Sequence, residues 1–259
     1  HEDVPKQMLG KSYLNAPLRR LIGAVFGMYE GYACAKFDAI ITATPFIRDK
    51  FLLINPNTID VNNFPLLEEL ANTADWTEKR DEVVYVGGIA KIRGIEQVVQ
   101  ALGLIDDVRL NLAGKFSEQA VEVAVKNLKG WSAVNELGFL NREELNAVLA
   151  KSKAGLVTLH PVINYIDALP VKMFEYMAAG IPVISSNFPL WREIIEGNQC
   201  GLCVDPMNPQ ETAEAVLYLM DNPTEAEGMG RKGRQAVEEK YNWVIEEKKL
   251  FELYKGLLV

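Results

Sequence analysis

From Glu82 to Asp205 the chain alternates short apolar runs with stretches of helical character, and this alternation restricts the fold more than any other feature. The runs are VVYVG, VRLNLAG, AVNELG, AGLVTL, PVISS and GLCVD, with helical segments starting near Arg93, Ser117, Asn141, Asp167 and Trp191. Ala154 to Leu159 is almost wholly apolar, as a parallel strand covered on both faces must be. Strands and helices in strict alternation, joined by short loops, build a parallel sheet with right-handed crossovers. The expected fold is α/β, a doubly wound, six-stranded, Rossmann-like sheet. After Asp205 two helices run to about Lys240, and Tyr241 to Leu258 reads as a last amphipathic helix through Trp243, Leu250, Phe251, Leu253, Tyr254, Leu257 and Leu258.

Chemistry is expected in residues 154–186, AGLVTLHPVINYIDALPVKMFEYMAAGIPVISS. Between the two strands lies a short helix that Asp167 can cap, with Pro170 in its first turn and Gly180 at its end. Leu169, Met173, Tyr176 and Met177 follow helical spacing and form the inward stripe. Lys172 and Glu175 fall on the other face, beside Ala178 and Ala179, whose small side chains leave room for a ligand. Glu175 is then a carboxylate with space around it; the plain alternative is a surface pair with Lys172. Ligands of open parallel sheets bind beyond the carboxyl ends of the strands, where helix N-termini favour phosphate. Asp167 to Val171 takes that position.

Upstream, residues 17–36 read as a helix with Leu18, Leu21, Ile22, Val25, Met28, Tyr29 and Tyr32 on an inward face and Arg19 and Arg20 opposite. DAIITA follows as a strand, then a short helix after Pro45. Residues 55–80, with Asn55, Pro56, Asn57, Asn62, Asn63, Pro65 and the run EKRDE, are the best linker candidate. The expected domains are 1–60, 61–240, and a C-terminal helix over 241–259.

A net charge of −8 and a pI near 5 argue against nucleic acid as a partner. No apolar run approaches the ~18 residues of a membrane span, and no signal peptide is read. Cys200 and Cys203 have redox or zinc spacing, but on a short strand they point to opposite faces; with two His in the chain, no metal site is expected. The loop Gly87-Gly88-Ile89-Ala90-Lys91-Ile92-Arg93-Gly94 is neither G-x-G-x-x-G nor a Walker loop, which weakens dehydrogenase and P-loop readings. HEDVPKQ reads as the interior of a protein, so a fragment lacking its front is expected.

Asp167-x7-Glu175 within LPVKMFEYMAAGIPVI resembles the E-x7-E region of the retaining family-4 (group 1) glycosyltransferases, in a variant common among polysaccharide-building members. HEDVP is similar to the family's H-D/E-x-x-P segment. The resemblance covers nearly the whole chain and implies the donor-binding half of a GT-B fold, with a remnant of the acceptor domain to which the last helix crosses back. It implies transfer from a nucleoside diphosphate sugar, the donor substrate, to a hydroxyl of a glycan or lipid-linked acceptor, with retention and with neither cofactor nor metal. It also implies a cytoplasmic setting, where basic, aromatic helices of the acceptor domain can touch the inner membrane face.

Residue by residue, the resemblance gives Glu175 the ribose hydroxyls, sets Asp167 against the donor sugar on a shorter arm than the family's Glu, and has His1 face the donor. Ala168 and Leu169 would meet the donor at the helix N-terminus. In the family the first strand ends in G-R, a Lys-Gly follows, and both cations hold the diphosphate. Here Gly88 replaces that Arg and Arg93-Gly94 replaces Lys-Gly, leaving Lys91 or Lys172 to supply the missing charge. Lys115 with Phe116, and Gly138 with Phe139 and Leu140, would line the base pocket. Two other classes stay open: a non-catalytic nucleotide-sugar-binding module, and a GT-B epimerase or phosphorylase. The fragment alone is expected to bind a nucleoside diphosphate without transferring sugar.

Overall fold

The computed structural model describes residues 4–9, 15–70 and 75–258. The chain divides into two compact units, one of His1–Phe64, Val162–Leu169 and Trp243–Val259, the other of Pro65–Pro161 and Pro170–Asn242. In chain order the first unit supplies α1 (Val4–Leu9), α2 (Ala16–Cys34), β1 (Ile40–Thr42), α3 (Pro45–Leu52) and β2 (Thr58–Asp60). The second supplies β3 (Glu82–Val86), α4 (Ile95–Leu102), β4 (Arg109–Ala113), α5 (Gln119–Lys126), β5 (Val134–Gly138), α6 (Arg142–Lys151) and β6 (Ala154–Val157). It continues with α7 (Val171–Ala178), β7 (Val183–Ser186), α8 (Pro189–Ile195), β8 (Gly201–Val204), α9 (Pro209–Asp221) and α10 (Pro223–Glu239), and α11 (Trp243–Leu257) returns to the first unit.

In the first unit, Asn15 caps α2 by accepting from the Leu18 N–H at 3.0 Å, and Thr44 caps α3 by accepting from the Ile47 N–H at 3.3 Å. Each helix also has Pro in its first turn, where the missing N–H costs nothing. The expected inward stripe of α2 is not buried: Gly23 is its buried residue, while Leu21, Met28, Tyr29 and Tyr32 are each more than 60% exposed. The apolar face of α11 is open too, with Phe251, Tyr254 and Leu257 exposed and Glu246 buried.

Residues 55–64, the first part of the expected linker, belong to the first unit. There β2 pairs in parallel with β1, and Asn55, Thr58, Asp60, Val61 and Asn62 are buried. Asn and Asp read as loop formers, but here their side chains satisfy buried partners. Asn55 Nδ2 donates to the carbonyls of Cys34 and Phe37 at 3.1 and 2.7 Å. Asp60 accepts from Arg48 Nη1 and Asn62 Nδ2, both at 2.7 Å. Glu246 accepts from the Asn62 N–H at 2.8 Å and from Lys249 Nζ at 2.8 and 3.0 Å. Burial raises the pKa of Asp60, yet the hydrogen bonds from Asn62 and Arg48, with the charge of Lys249, hold it below the usual carboxylate range.

The second unit is the expected doubly wound sheet: six parallel strands in the order β5-β4-β3-β6-β7-β8, reversing direction of winding between β3 and β6. Val83, Tyr85, Leu110, Leu112, Leu156 and Ile184 from the strands form a core with Val98 and Val99 of α4 and Val216 and Leu219 of α9. Gly155 lets α7 come close, because a Cβ there would stand 2.2 Å from the Tyr176 ring.

Helix α7 begins later than its sequence suggests. Pro170, not Asp167, is the N-cap, with φ −70° and ψ 123° and no side-chain cap. A proline keeps the residue before it extended, so Leu169 cannot be helical and Asp167 lies outside the helix. Nor do Ala178 and Ala179 leave room: they are 0% and 6% exposed, and Arg234 of α10 donates to the Ala178 carbonyl at 2.6 Å.

Candidate functional site

The carboxyl ends of β3 and β6, where the strand order reverses, are where an open α/β sheet offers a crevice. After β3 the chain makes a single tight turn over Lys91–Arg93 and reaches Gly94 in the left-handed region, φ 77°. Only glycine fits there, since a Cβ would stand 1.9 Å from the Thr158 carbonyl oxygen just beyond β6. The His160 N–H donates to the Ile92 carbonyl at 3.0 Å and fixes the same contact. On the other side the Ile89 N–H donates to the Lys115 carbonyl at 2.9 Å, tying this loop to the one after β4.

This seating turns the Arg93 side chain back over the glycine pair. Its Nη1 would lie 3.2 Å from a Cβ built on Gly88, so the guanidinium fills space that a side chain at 88 would need. Among the described residues it has no hydrogen-bond acceptor or carboxylate partner.

Lys172 departs from its expected place on an open polar face. Its Nζ lies 3.9 Å from the centroid of the Tyr85 ring, sealed from solvent and, among the described residues, without a hydrogen-bond partner. Burial, then the neighbouring Arg93 charge, push its pKa down to about 7, with Glu175 opposing. Tyr176, one residue beyond Glu175, is also buried; its hydroxyl accepts from the Val86 N–H at 2.9 Å, and burial drives its pKa up.

Glu175 is neither free nor paired with Lys172. Arg142, the first residue of α6, donates from Nη1 to Glu175 Oε1 at 2.6 Å, and its Nε meets Glu69 at 3.0 Å. The carboxylate side chain is 13% exposed. Arg142 was missed because nothing local links two residues so far apart in sequence; its only signal is its position directly after the Gly138-Phe139-Leu140 loop.

The structure thus brings Gly88, Arg93, Lys172 and Glu175 into one cluster, with Arg142 behind Glu175. Lys91 is drawn aside to Glu96 at 3.4 Å. Lys115 and Phe139 are exposed and Leu140 half-buried, on loops leaving the same edge of the sheet from β4 and β5. Asp167, Ala168 and Leu169 group with the first unit, and His1 lies outside the described residues. Sequence reading also passed over His160, 9% exposed, whose Nε2 is 2.8 Å from Gln97 Oε1 and whose pKa burial lowers.

No cluster of three His, Cys, Asp or Glu suited to a metal ion occurs among the described residues, and no described helix is long and apolar enough to cross a membrane. The Cys200 and Cys203 thiols are free, and burial pushes them up to about 12 and about 11.

The profile of the family described as glycosyl transferases group 1 matches residues 68–236. Glycogen synthase of Mycobacterium tuberculosis is 24% identical over 247 residues, 89% of this chain and 56% of that protein. The chain therefore spans little more than half the length of this relative. Among solved structures, sucrose-phosphate synthase from Thermosynechococcus elongatus superposes with a TM-score of 0.72 at 22% identity, covering 89% of this chain and 61% of that one. Anabaena HepE in complex with UDP-glucose superposes with a TM-score of 0.71 at 15% identity, covering 86% and 65%.

Proposed function

The chain belongs to the group 1 glycosyl transferases, and on that premise we propose that it forms the nucleoside diphosphate sugar-binding part of a retaining enzyme that glycosylates a glycan or lipid-linked acceptor. The observation that carries this reading is the pair of basic side chains at the switch point: Arg93 and Lys172 influence one another electrostatically, and among the described residues neither has a counter-ion in hydrogen-bond contact. Charging both at once is unfavourable, and an anion bound between the loop and α7 relieves that cost.

A diphosphate suits the site. Arg93 offers it a planar fork of donors, and α7, which follows β6, starts at the same carboxyl edge of the sheet, where the positive end of its dipole favours an anion. Both stabilise the charge that grows on the departing nucleoside diphosphate, a task that needs no proton transfer. Glu175, held by Arg142, accepts the ribose hydroxyls. Lys115, Phe139 and Leu140 border the base, and the family pattern, through Asp167-x7-Glu175 and HEDVP, further assigns Asp167, Ala168, Leu169 and His1 to the donor sugar.

Calorimetric titration with UDP, GDP, ADP and their sugars tests the reading, followed by a transfer assay with oligosaccharide and lipid-linked acceptors. One base should bind as the diphosphate, and Arg93→Ala should weaken that binding by roughly 1.5–3 kcal/mol while leaving the free nucleoside unaffected. Absence of binding by every diphosphate refutes it.

A further inference from the structure

A lysine nitrogen shut away from water is costly to charge without an acceptor, and among the described residues Lys172 has none. Its surroundings are few and named. Arg93 faces it from the loop after β3, Tyr85 presents its ring from β3, and Glu175 lies on the same helix but is committed to Arg142. Tyr176 interacts with Tyr85 and Glu175 and donates no charge. One carboxylate already neutralised by one arginine thus leaves the Arg93 guanidinium and the Lys172 amino group to share a pocket without a counter-ion among the described residues.

We propose that Lys172 is the second cation of the diphosphate site and works as a proton-coupled one, an uncharged amine while the site is empty and an ammonium once the diphosphate is bound. Deepening the nucleotide reading, on which it rests, it assigns the charge missing at Gly88 to a residue that acquires it only on demand. The step is a simple protonation: the amine lone pair takes a proton from solvent or buffer, and no covalent bond to the nucleotide forms. A pKa near 7 in the empty site suits this role, because a neighbouring anion raises it further. The four-carbon stem lets the ammonium rise toward phosphate beside Arg93, which a rigid side chain could not do.

The experiment is titration of the chain with UDP, GDP and ADP in turn, at pH 8 and at pH 6, in buffers of different ionisation enthalpy, so that protons exchanged per nucleotide are read directly. The nucleotide that binds should bring close to one proton at pH 8 and far less at pH 6, where Lys172 is already charged. Lys172→Met should abolish the uptake at pH 8 and weaken binding about tenfold. Lys172→Arg, charged at every accessible pH, should bind without taking up a proton. Melting curves check that the variants fold, and the wild-type measurement decides the matter without them. Binding at pH 8 with no proton uptake, or uptake that survives in Lys172→Met, overturns the proposal and leaves the nucleotide reading standing. Failure of UDP, GDP and ADP alike to bind overturns the two together.

Discussion

Helices α2 and α7 both declare themselves in the sequence by apolar residues at helical spacing, yet one is open and the other enclosed. Of the residues of α2 Gly23 is buried, whereas Met173, Phe174, Tyr176, Met177 and Ala178 of α7 all are. Helix α7 has β6 on one side, close enough that Gly155 touches the Tyr176 ring, and α10 on another. Within the first unit the burial is mixed, with Asp60, Asn62 and Glu246 buried alongside Ile47, Phe51 and Val61. Periodicity reports that a helix has a face; whether that face is covered depends on surfaces contributed from elsewhere, which no local pattern encodes.

The contrast can be broken most directly at α7. Phe174→Ala should cost about 3–5 kcal/mol in denaturant unfolding, as for an aromatic removed from a close-packed core. A loss under ~1 kcal/mol would mean that α7 is no better covered than α2.

A second test asks whether the first unit is held by polar contacts. Glu246→Ala leaves the Asn62 N–H without its acceptor and the Lys249 ammonium with Asp60 alone, at 3.5 Å, and roughly 1.5–3 kcal/mol of stability should go with it, visible as early loss of protection in hydrogen exchange across residues 58–62. Protection unchanged there would show that the network is ornamental.

On the outward side of α7, binding should respond more than folding. Glu175→Ala should reduce affinity for a ribonucleotide diphosphate about tenfold or more, with Glu175→Gln intermediate, while the melting curve shifts little. Calorimetry beside melting reads both, and a large fall in stability with unchanged affinity would make Glu175 a structural anchor for Arg142.

The smallest effect belongs to α2. Tyr29, 66% exposed, should tolerate Tyr29→Ala within about 0.5 kcal/mol in the same unfolding assay.

The six-stranded sheet was legible because each of its strands is a short run bounded by turn residues, with apolar cores such as Val83 to Val86 and Leu156, and short loops leave little choice of topology. Strand β2 was not, since it is three residues long and its neighbourhood is buried through Asn55, Thr58 and Asn62, residue types that elsewhere mark turns. The start of α7 was misplaced by reading Asp167 as a cap without the constraint that Pro170 sets on Leu169. At the candidate site, Arg93 and Glu175 could be picked out from spacing and resemblance. The burial of Lys172 could not, because a lysine on the polar side of a helical wheel gives no hint that its stem will fold inward over Tyr85. Arg142 likewise needed the fold to carry it to Glu175.

The guanidinium of Arg93 lying over Gly88 makes two positions share one volume. The choice of residue at either one is therefore conditional on the other. A bulky residue at 88 would contend with Arg93 for one volume, and a change at 93 alone would strip the loop of its guanidinium. Variation at the two sites is therefore expected to be concerted, glycine at one accompanying arginine at the other.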